Sequence, residues 1–145
     1  MLNCHDVADY FLALARDDED SGEDISNLKL QKLVYYAQGV NLALYGKPLF
    51  EENIEAWTHG PVVPVLYSRF KQFGSGAIEF EKEVDLEKYG KDTREVLDEV
   101  YKVFGQYSGW KLRNMTHQEP PWAETEKGDV ISHKLMRDYF KTIVE

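Results

Sequence analysis

Cysteine is nearly absent from this sequence, which has one thiol, Cys4, in 145 residues. A single thiol excludes an internal disulfide and any metal site built from several thiolates, and it suits a reducing compartment. A helix N-terminus would lower the pKa of such a thiol, but only Asp6 lies nearby as a candidate orienting acid. We therefore interpret Cys4 as a surface residue without a catalytic role.

Long apolar runs are also lacking. No stretch of the sequence approaches the roughly 18 uninterrupted apolar residues of a membrane span. The first residues do not have the basic-then-apolar layout of a signal peptide. These absences predict a cytoplasmic protein with no membrane partner.

Basic residues are outnumbered by acidic ones, 17 to 26, and the formal net charge is −9. This charge opposes the phosphates of nucleic acids and anionic lipid surfaces. A DNA-binding autoregulator is one alternative function, but Lys29 and Lys32 are isolated basic residues that follow six acids and form no basic stripe. The composition therefore argues against a nucleic-acid partner.

Motifs for catalysis or metal binding are missing as well. The four histidines share no metal-ligand spacing, and the sequence contains neither a G-x-S-x-G nucleophile motif nor a P-loop. These histidines are His5, His59, His117 and His133. We expect no catalytic residue, no cofactor-binding residue and no metal ligand, and therefore a protein that is not an enzyme.

The strongest pattern that is present predicts a central helix over residues 26–46. Its apolar positions follow a 3.6-residue period, and a second apolar stripe indicates that the helix is covered on more than one side. The first stripe consists of Leu30, Leu33, Val34, Ala37 and Leu44. Ser26 or Asn27 can cap the first turn, and Gly46 can end the last one.

The polar residues of this helix predict an exposed face on which a partner could dock. They are Lys29, Gln31, Lys32, Gln38 and Asn41. Among them, Gln31, Lys32 and Gln38 are our candidate partner-binding residues.

Weaker patterns predict the remaining elements and a mainly α fold, with about six helices around the central one and a small β hairpin or strand. We expect residues 1–145 to form a single compact domain. The first half of the chain is predicted to contain a helix capped by Asn3, an exposed acidic loop over 17–24, a strand over 54–58, a turn at Gly60 and Pro61, and a helix from Pro64 to Gly74. The second half is predicted to contain an edge strand or hairpin over 78–86, a helix from Asp92 to Gly105, a short helix from Ser108 that ends at Pro120 and Pro121, and a last helix from Ser132.

Two segments combine a rigid turn, a histidine and a tryptophan, at residues 57–64 and 115–122. We interpret both as architectural, because turns need stiff residues and buried polar groups need partners. The alternative is a small hydrolase or nucleotide-processing enzyme in which His59 and His117 act as acid and base, which requires the two segments to converge.

Three blocks of sequence resemble one known family, the Panacea or SocA-like antitoxin domain, often labelled phage-associated protein in bacterial and prophage genomes. The first block covers residues 25–38, the second residues 55–67 and the third residues 116–122. The motif positions, which we assign to the structural framework, are Leu30, Gln31, Leu33, Tyr36, Trp57, His59, Gly60, Pro61, Thr116, His117, Pro121 and Trp122.

This resemblance implies an antitoxin that binds and neutralises a protein toxin encoded by a neighbouring gene. It also implies, for at least one branch of the family, an adaptor that delivers the toxin to a AAA+ protease. No catalytic residue is carried over with it. We expect steric inhibition through helix faces and the acidic loop, and the charge of −9 favours a basic toxin surface.

Overall fold

A computed structural model describes residues 1–18 and 24–144. These residues form seven α-helices and one two-stranded sheet, so the predicted mainly α fold is confirmed. The helices are α1 (Cys4–Asp17), α2 (Asn27–Tyr45), α3 (Pro64–Phe70), α4 (Lys91–Phe104), α5 (Gly109–Thr116), α6 (Pro120–Ala123) and α7 (His133–Phe140), and the strands are β1 (Glu55–Trp57) and β2 (Gly60–Val62). Most of the predicted acidic loop, residues 19–23, lies outside the described residues.

Helix α2 is the centre of the fold, as predicted. The Ser26 side chain accepts a hydrogen bond from the Lys29 amide, and Gly46 ends the helix with a φ of 71°. The helix contacts α1, α3, α4, α5 and α7. Gly39 lies so close to the Phe140 ring of α7 that a Cβ at this position would overlap the ring. Close approach of these two helices therefore depends on a residue without a side chain.

One apolar residue of α2, Leu44, is exposed although its spacing predicts that it is buried. Leu30, Leu33 and Val34 are fully buried, but Leu44 is 49% exposed. Leu44 belongs to the last turn of the helix, and it lines a groove open to solvent between α2 and α4. Apolar periodicity shows which side of a helix faces the core, but it does not show how far along the helix the neighbouring elements extend.

The strand predicted over 54–58 is present as β1, and it forms an antiparallel hairpin with β2 in which Ala56 faces Pro61. The other side of β1 is held by a later segment, because the Ala56 amide donates to the Asp129 carbonyl at 3.0 Å. Gly60 opens β2 with a φ of 109°, a conformation that side chains disfavour.

The predicted strand or hairpin over 78–86 is wrong. This segment has irregular backbone that leads to a single 3₁₀ turn, Leu86–Lys88, after an isolated bridge between Ser26 and Ala77. No second strand lies beside it in the described part of the chain. Its apolar side chains Phe80 and Val84 instead pack individually against the core.

Three predicted helix starts are confirmed, because Asn3, Ser108 and Ser132 cap α1, α5 and α7 through their side chains. Helix α4 begins one residue before Asp92, with Gly90 at its N-cap.

The sequence predicts that the pair Pro120 and Pro121 ends a helix, but α5 already ends at Thr116, and Pro120 opens α6. A proline in the first turn of a helix removes no hydrogen bond, because the N–H groups of that turn have no partner within the helix.

The prediction that Cys4 lies at the surface is wrong. The residue is fully buried in the core. Burial, together with the neighbouring Glu52, raises the pKa of its thiol to about 12, which outweighs the helix N-terminus. The thiol is therefore protonated and inert at neutral pH.

Within the described ranges, no helix combines the length and the apolarity that crossing a membrane would require.

Candidate partner-binding site

The polar residues of α2 are buried, so the predicted exposed face is wrong. Lys29, Gln31, Lys32, Gln38 and Asn41 are each at most 4% exposed. Neighbouring segments surround this helix, and its polar side chains supply hydrogen bonds to their backbone. Lys29 Nζ, for example, donates to the Gly105 carbonyl at 2.7 Å, where α4 ends.

Gln38 joins α2 to the segment that follows it. Its Oε1 accepts from the Leu49 amide at 2.7 Å, and its Nε2 donates to the Phe50 carbonyl at 2.9 Å. With both ends of the amide engaged and no exposed surface, Gln38 has no group to offer a partner.

Gln31 has the same role for the hairpin. Its Oε1 accepts from the Val63 amide at 2.9 Å, and its Nε2 donates to Asn27 Oδ1 at 2.9 Å. Asn27 in turn donates to the Tyr67 carbonyl in α3. This chain of bonds connects the first and second blocks.

Lys32 lies beneath the hairpin, where its Nζ donates to the Pro61 carbonyl at 3.1 Å. Burial, with a smaller contribution from Arg113, lowers the pKa of this amine to about 7. A Cβ at Gly60 would lie 2.5 Å from Lys32 Cε and 2.9 Å from Thr116 Oγ1. Glycine at position 60 therefore has two roles: it allows the positive φ of the backbone, and it leaves room for the Lys32 side chain.

The second and third blocks meet at two tryptophans. The Nε1 of Trp122 donates to the Trp57 carbonyl at 2.7 Å. The His117 ring stacks on the Trp122 indole, with centroids 3.8 Å apart. The two segments that sequence reasoning singled out thus converge in space.

The two histidines of these segments face different indoles. His117 stacks on Trp122, whereas exposed His59 packs edge-on against Trp110 at 5.4 Å. Burial lowers the pKa of His117, and Arg113 acts in the same direction. Among the described residues, no hydrogen bond joins the two imidazoles, since each ring contacts a different indole. The second and third blocks therefore converge without pairing His59 and His117 as an acid and a base.

The third block is also anchored to α2 through a buried carboxylate that sequence reasoning did not single out. Tyr35 and Tyr36 donate their hydroxyls to the two oxygens of Glu119, at 3.0 and 2.7 Å. Burial raises the pKa of Glu119 to about 6 despite these hydrogen bonds. Thr116 and Pro121 of the same block are buried as well.

A cleft of about 630 Å³ opens beside this assembly. Gln31 and Lys32 lie at its floor, and Trp57 and Tyr67 form an edge-to-face pair with centroids 5.2 Å apart. We call it the basic cleft, and its polar and aromatic lining includes Gln31, Lys32, Trp57, His59, Tyr67, Lys71 and Lys127. Lys71 and Lys127 were not predicted, because they lie far from each other in the sequence and belong to no motif.

Among the residues that the structure describes, no group of three or more histidine, cysteine, aspartate or glutamate side chains is arranged to hold a metal ion.

Comparison with known proteins assigns the chain to a class. Residues 30–123, which include most of the three blocks and the whole hairpin, match the family model described as "Antitoxin SocA-like, Panacea domain". The chain therefore belongs to the SocA-like antitoxin family. Among individual proteins, it is similar to Antitoxin SocA of Caulobacter vibrioides (strain NA1000 / CB15N), with 34% identity over an alignment of 136 positions; the alignment covers 81% of this chain and 72% of the relative. No solved structure matches the chain.

Proposed function

We propose that this protein is a cytoplasmic, non-enzymatic antitoxin that neutralises the toxin encoded by a neighbouring gene through direct protein–protein binding. Membership of the SocA-like antitoxin family carries the proposal. The convergence of the three blocks supports it, because interlocked buried hydrogen bonds give the protein a rigid surface that loses little entropy on binding.

The surface around the basic cleft has the composition of a protein-binding site. Trp110 is 58% exposed and Tyr67 is 38% exposed. Aromatic side chains at the centre of an interface contribute more binding free energy than most other residues. Two partly exposed aromatic residues on one region of a small protein therefore favour a protein partner over a small substrate.

Co-expression with the neighbouring gene tests this function. The adjacent reading frame is induced in a heterologous bacterial host, with this protein or with an empty vector, and growth is measured. The proposal predicts growth arrest with the empty vector and recovery with this protein. An adjacent product that is harmless, or toxicity that this protein does not relieve, would contradict it.

Delivery of the toxin to a AAA+ protease is the second mechanism. It needs two binding surfaces, and a groove lined by the exposed apolar residues Leu44, Val103 and Ile143 provides one besides the basic cleft. Delivery predicts that relief of toxicity is lost in a host without the protease and that the toxin disappears in pulse-chase experiments. Direct inhibition predicts relief with a stable toxin level.

A further inference from the structure

The charge of the basic cleft is opposite to that of the protein. The chain carries a net charge of −9, yet the described lining of the cleft contains three lysines and a histidine and no carboxylate. They are Lys32, Lys71, Lys127 and His59. A local reversal of charge in a concave surface focuses attraction on an anionic group.

The two exposed lysines of the cleft are not neutralised by the protein. Within the described residues, no carboxylate lies within ion-pair distance of Lys71 or Lys127. Lys127 Nζ instead lies 3.7 Å from the centroid of the Trp122 ring and donates to the Thr125 carbonyl. Both ammonium groups are therefore available to an external anion.

The carboxylate two residues before Trp57 is already engaged. Glu55 Oε1 accepts a hydrogen bond from Trp57 Nε1 at 2.9 Å, which fixes the indole beside Tyr67. Lys32 lies at the floor, and its Nζ donates to the Pro61 carbonyl. The cleft thus combines an aromatic wall with two exposed ammonium groups and a buried lysine amine at its floor.

We propose that the basic cleft binds an acidic segment of the partner protein, with a carboxylate between Lys71 and Lys127 and a neighbouring apolar side chain against Trp57 and Tyr67. This inference rests on the proposed function, because it names the chemistry of the surface by which the toxin is recognised. It differs from the expectation based on net charge alone, which favours a basic toxin surface.

The overall charge favours a peptide over a nucleic acid as the occupant. A nucleic acid extends beyond the cleft and meets the negative surface of the protein, whereas a short segment with one or two carboxylates does not. At physiological salt, charges more than about 8 Å apart are largely screened, so the lysines act mainly on a group inside the cleft.

Paired charge reversals test the inference with the purified toxin. Lys71→Glu with Lys127→Glu reverses two exposed cleft residues, and Lys102→Glu with Lys141→Glu changes the net charge equally at exposed positions outside the lining. Isothermal titration calorimetry should show at least a tenfold weaker affinity for the cleft pair and less than a threefold change for the control pair. Equal effects of the two pairs, or no effect of the cleft pair, would overturn the inference.

A second probe separates this inference from the proposed function. If the wild-type protein binds no toxin, the proposed function fails, and the acetylated peptide Leu-Glu-Glu-Leu still tests the cleft in a ¹⁵N NMR titration. The Trp57 indole signal should shift, the amide signals of α4, which contributes no lining residue, should not, and the cleft pair should abolish the shift. Shifts confined to residues outside the cleft, equal shifts with Leu-Gln-Gln-Leu, or tighter cleft binding of tripolyphosphate would each overturn the inference.

Discussion

Trp122 and Trp57 are 65 residues apart in the sequence, and the indole N–H of Trp122 donates to the Trp57 carbonyl at 2.7 Å. This bond fastens the third block to the hairpin, while His117 stacks on the same indole. The aromatic residues of the motifs therefore hold two distant segments together, and the basic cleft opens beside this junction.

Replacing Trp122 by phenylalanine tests this junction. The substitution keeps an aromatic ring but removes the donor, so we expect the free energy of unfolding to fall by about 1–3 kcal/mol. The matched control is Trp110→Phe, at an exposed indole, with an expected change within about 0.5 kcal/mol. Urea denaturation measures both, and equal losses would show that the bond has no special role.

Gly60→Ala tests the contact between the hairpin and Lys32. The new Cβ would need a φ of 109° and would lie 2.5 Å from Lys32 Cε, so we expect a loss of about 3 kcal/mol. Gly46→Ala is the control, because its φ is 71° but no atom lies within 4 Å of a Cβ there. It should cost about 1–2 kcal/mol. A Gly60→Ala variant as stable as Gly46→Ala would contradict the packing argument.

Gln31→Met tests whether this glutamine belongs to the framework. Methionine preserves the volume but leaves the Val63 amide and Asn27 Oδ1 without their partner, which should cost about 2–4 kcal/mol in thermal or urea unfolding. Exposed Gln118→Met should change stability by less than about 0.5 kcal/mol. If Gln31→Met reduced toxin binding without loss of stability, a direct contact would be indicated instead.

Glu119 should make stability depend on pH. Its pKa is about 6 in the folded protein against 4.5 in the unfolded chain, so the folded state retains a proton that the unfolded state has lost. The free energy of unfolding should therefore fall, by about 2 kcal/mol from this group, as pH rises between these values.

The contribution of Glu119 can be isolated by difference. Glu119→Gln should lack this decline, while exposed Glu124→Gln should keep it. Denaturation of the three proteins from about pH 4 to about pH 7 makes the comparison. Parallel pH profiles for the wild type and Glu119→Gln would show that Glu119 is not the cause.

The sequence predicts the helices well, because capping residues and apolar periodicity are local signals. Asn3, Ser26, Ser108 and Ser132 each cap the helix that they were expected to cap. The segment over 78–86 shows the limit of such reasoning. Its alternating pattern is typical of a strand, but a strand needs a neighbour, and the pattern does not reveal that none is present in the described chain.

The candidate site was predictable only in part. The motif segments around Trp57 and Trp122 were recognised, but polar side chains on α2 were assigned to solvent because periodicity cannot distinguish a solvated amide from one that binds a buried loop. Gln31 and Gln38 are of the second kind. The cations of the cleft are brought together by the tertiary fold alone.

Direct binding is the central claim, and one titration tests it. The purified product of the neighbouring gene is titrated into this protein in a calorimeter with no protease present. The account predicts saturable binding with a Kd on the order of 1 µM or lower. No detectable binding, with toxicity relieved only in cells that contain the protease, would contradict it.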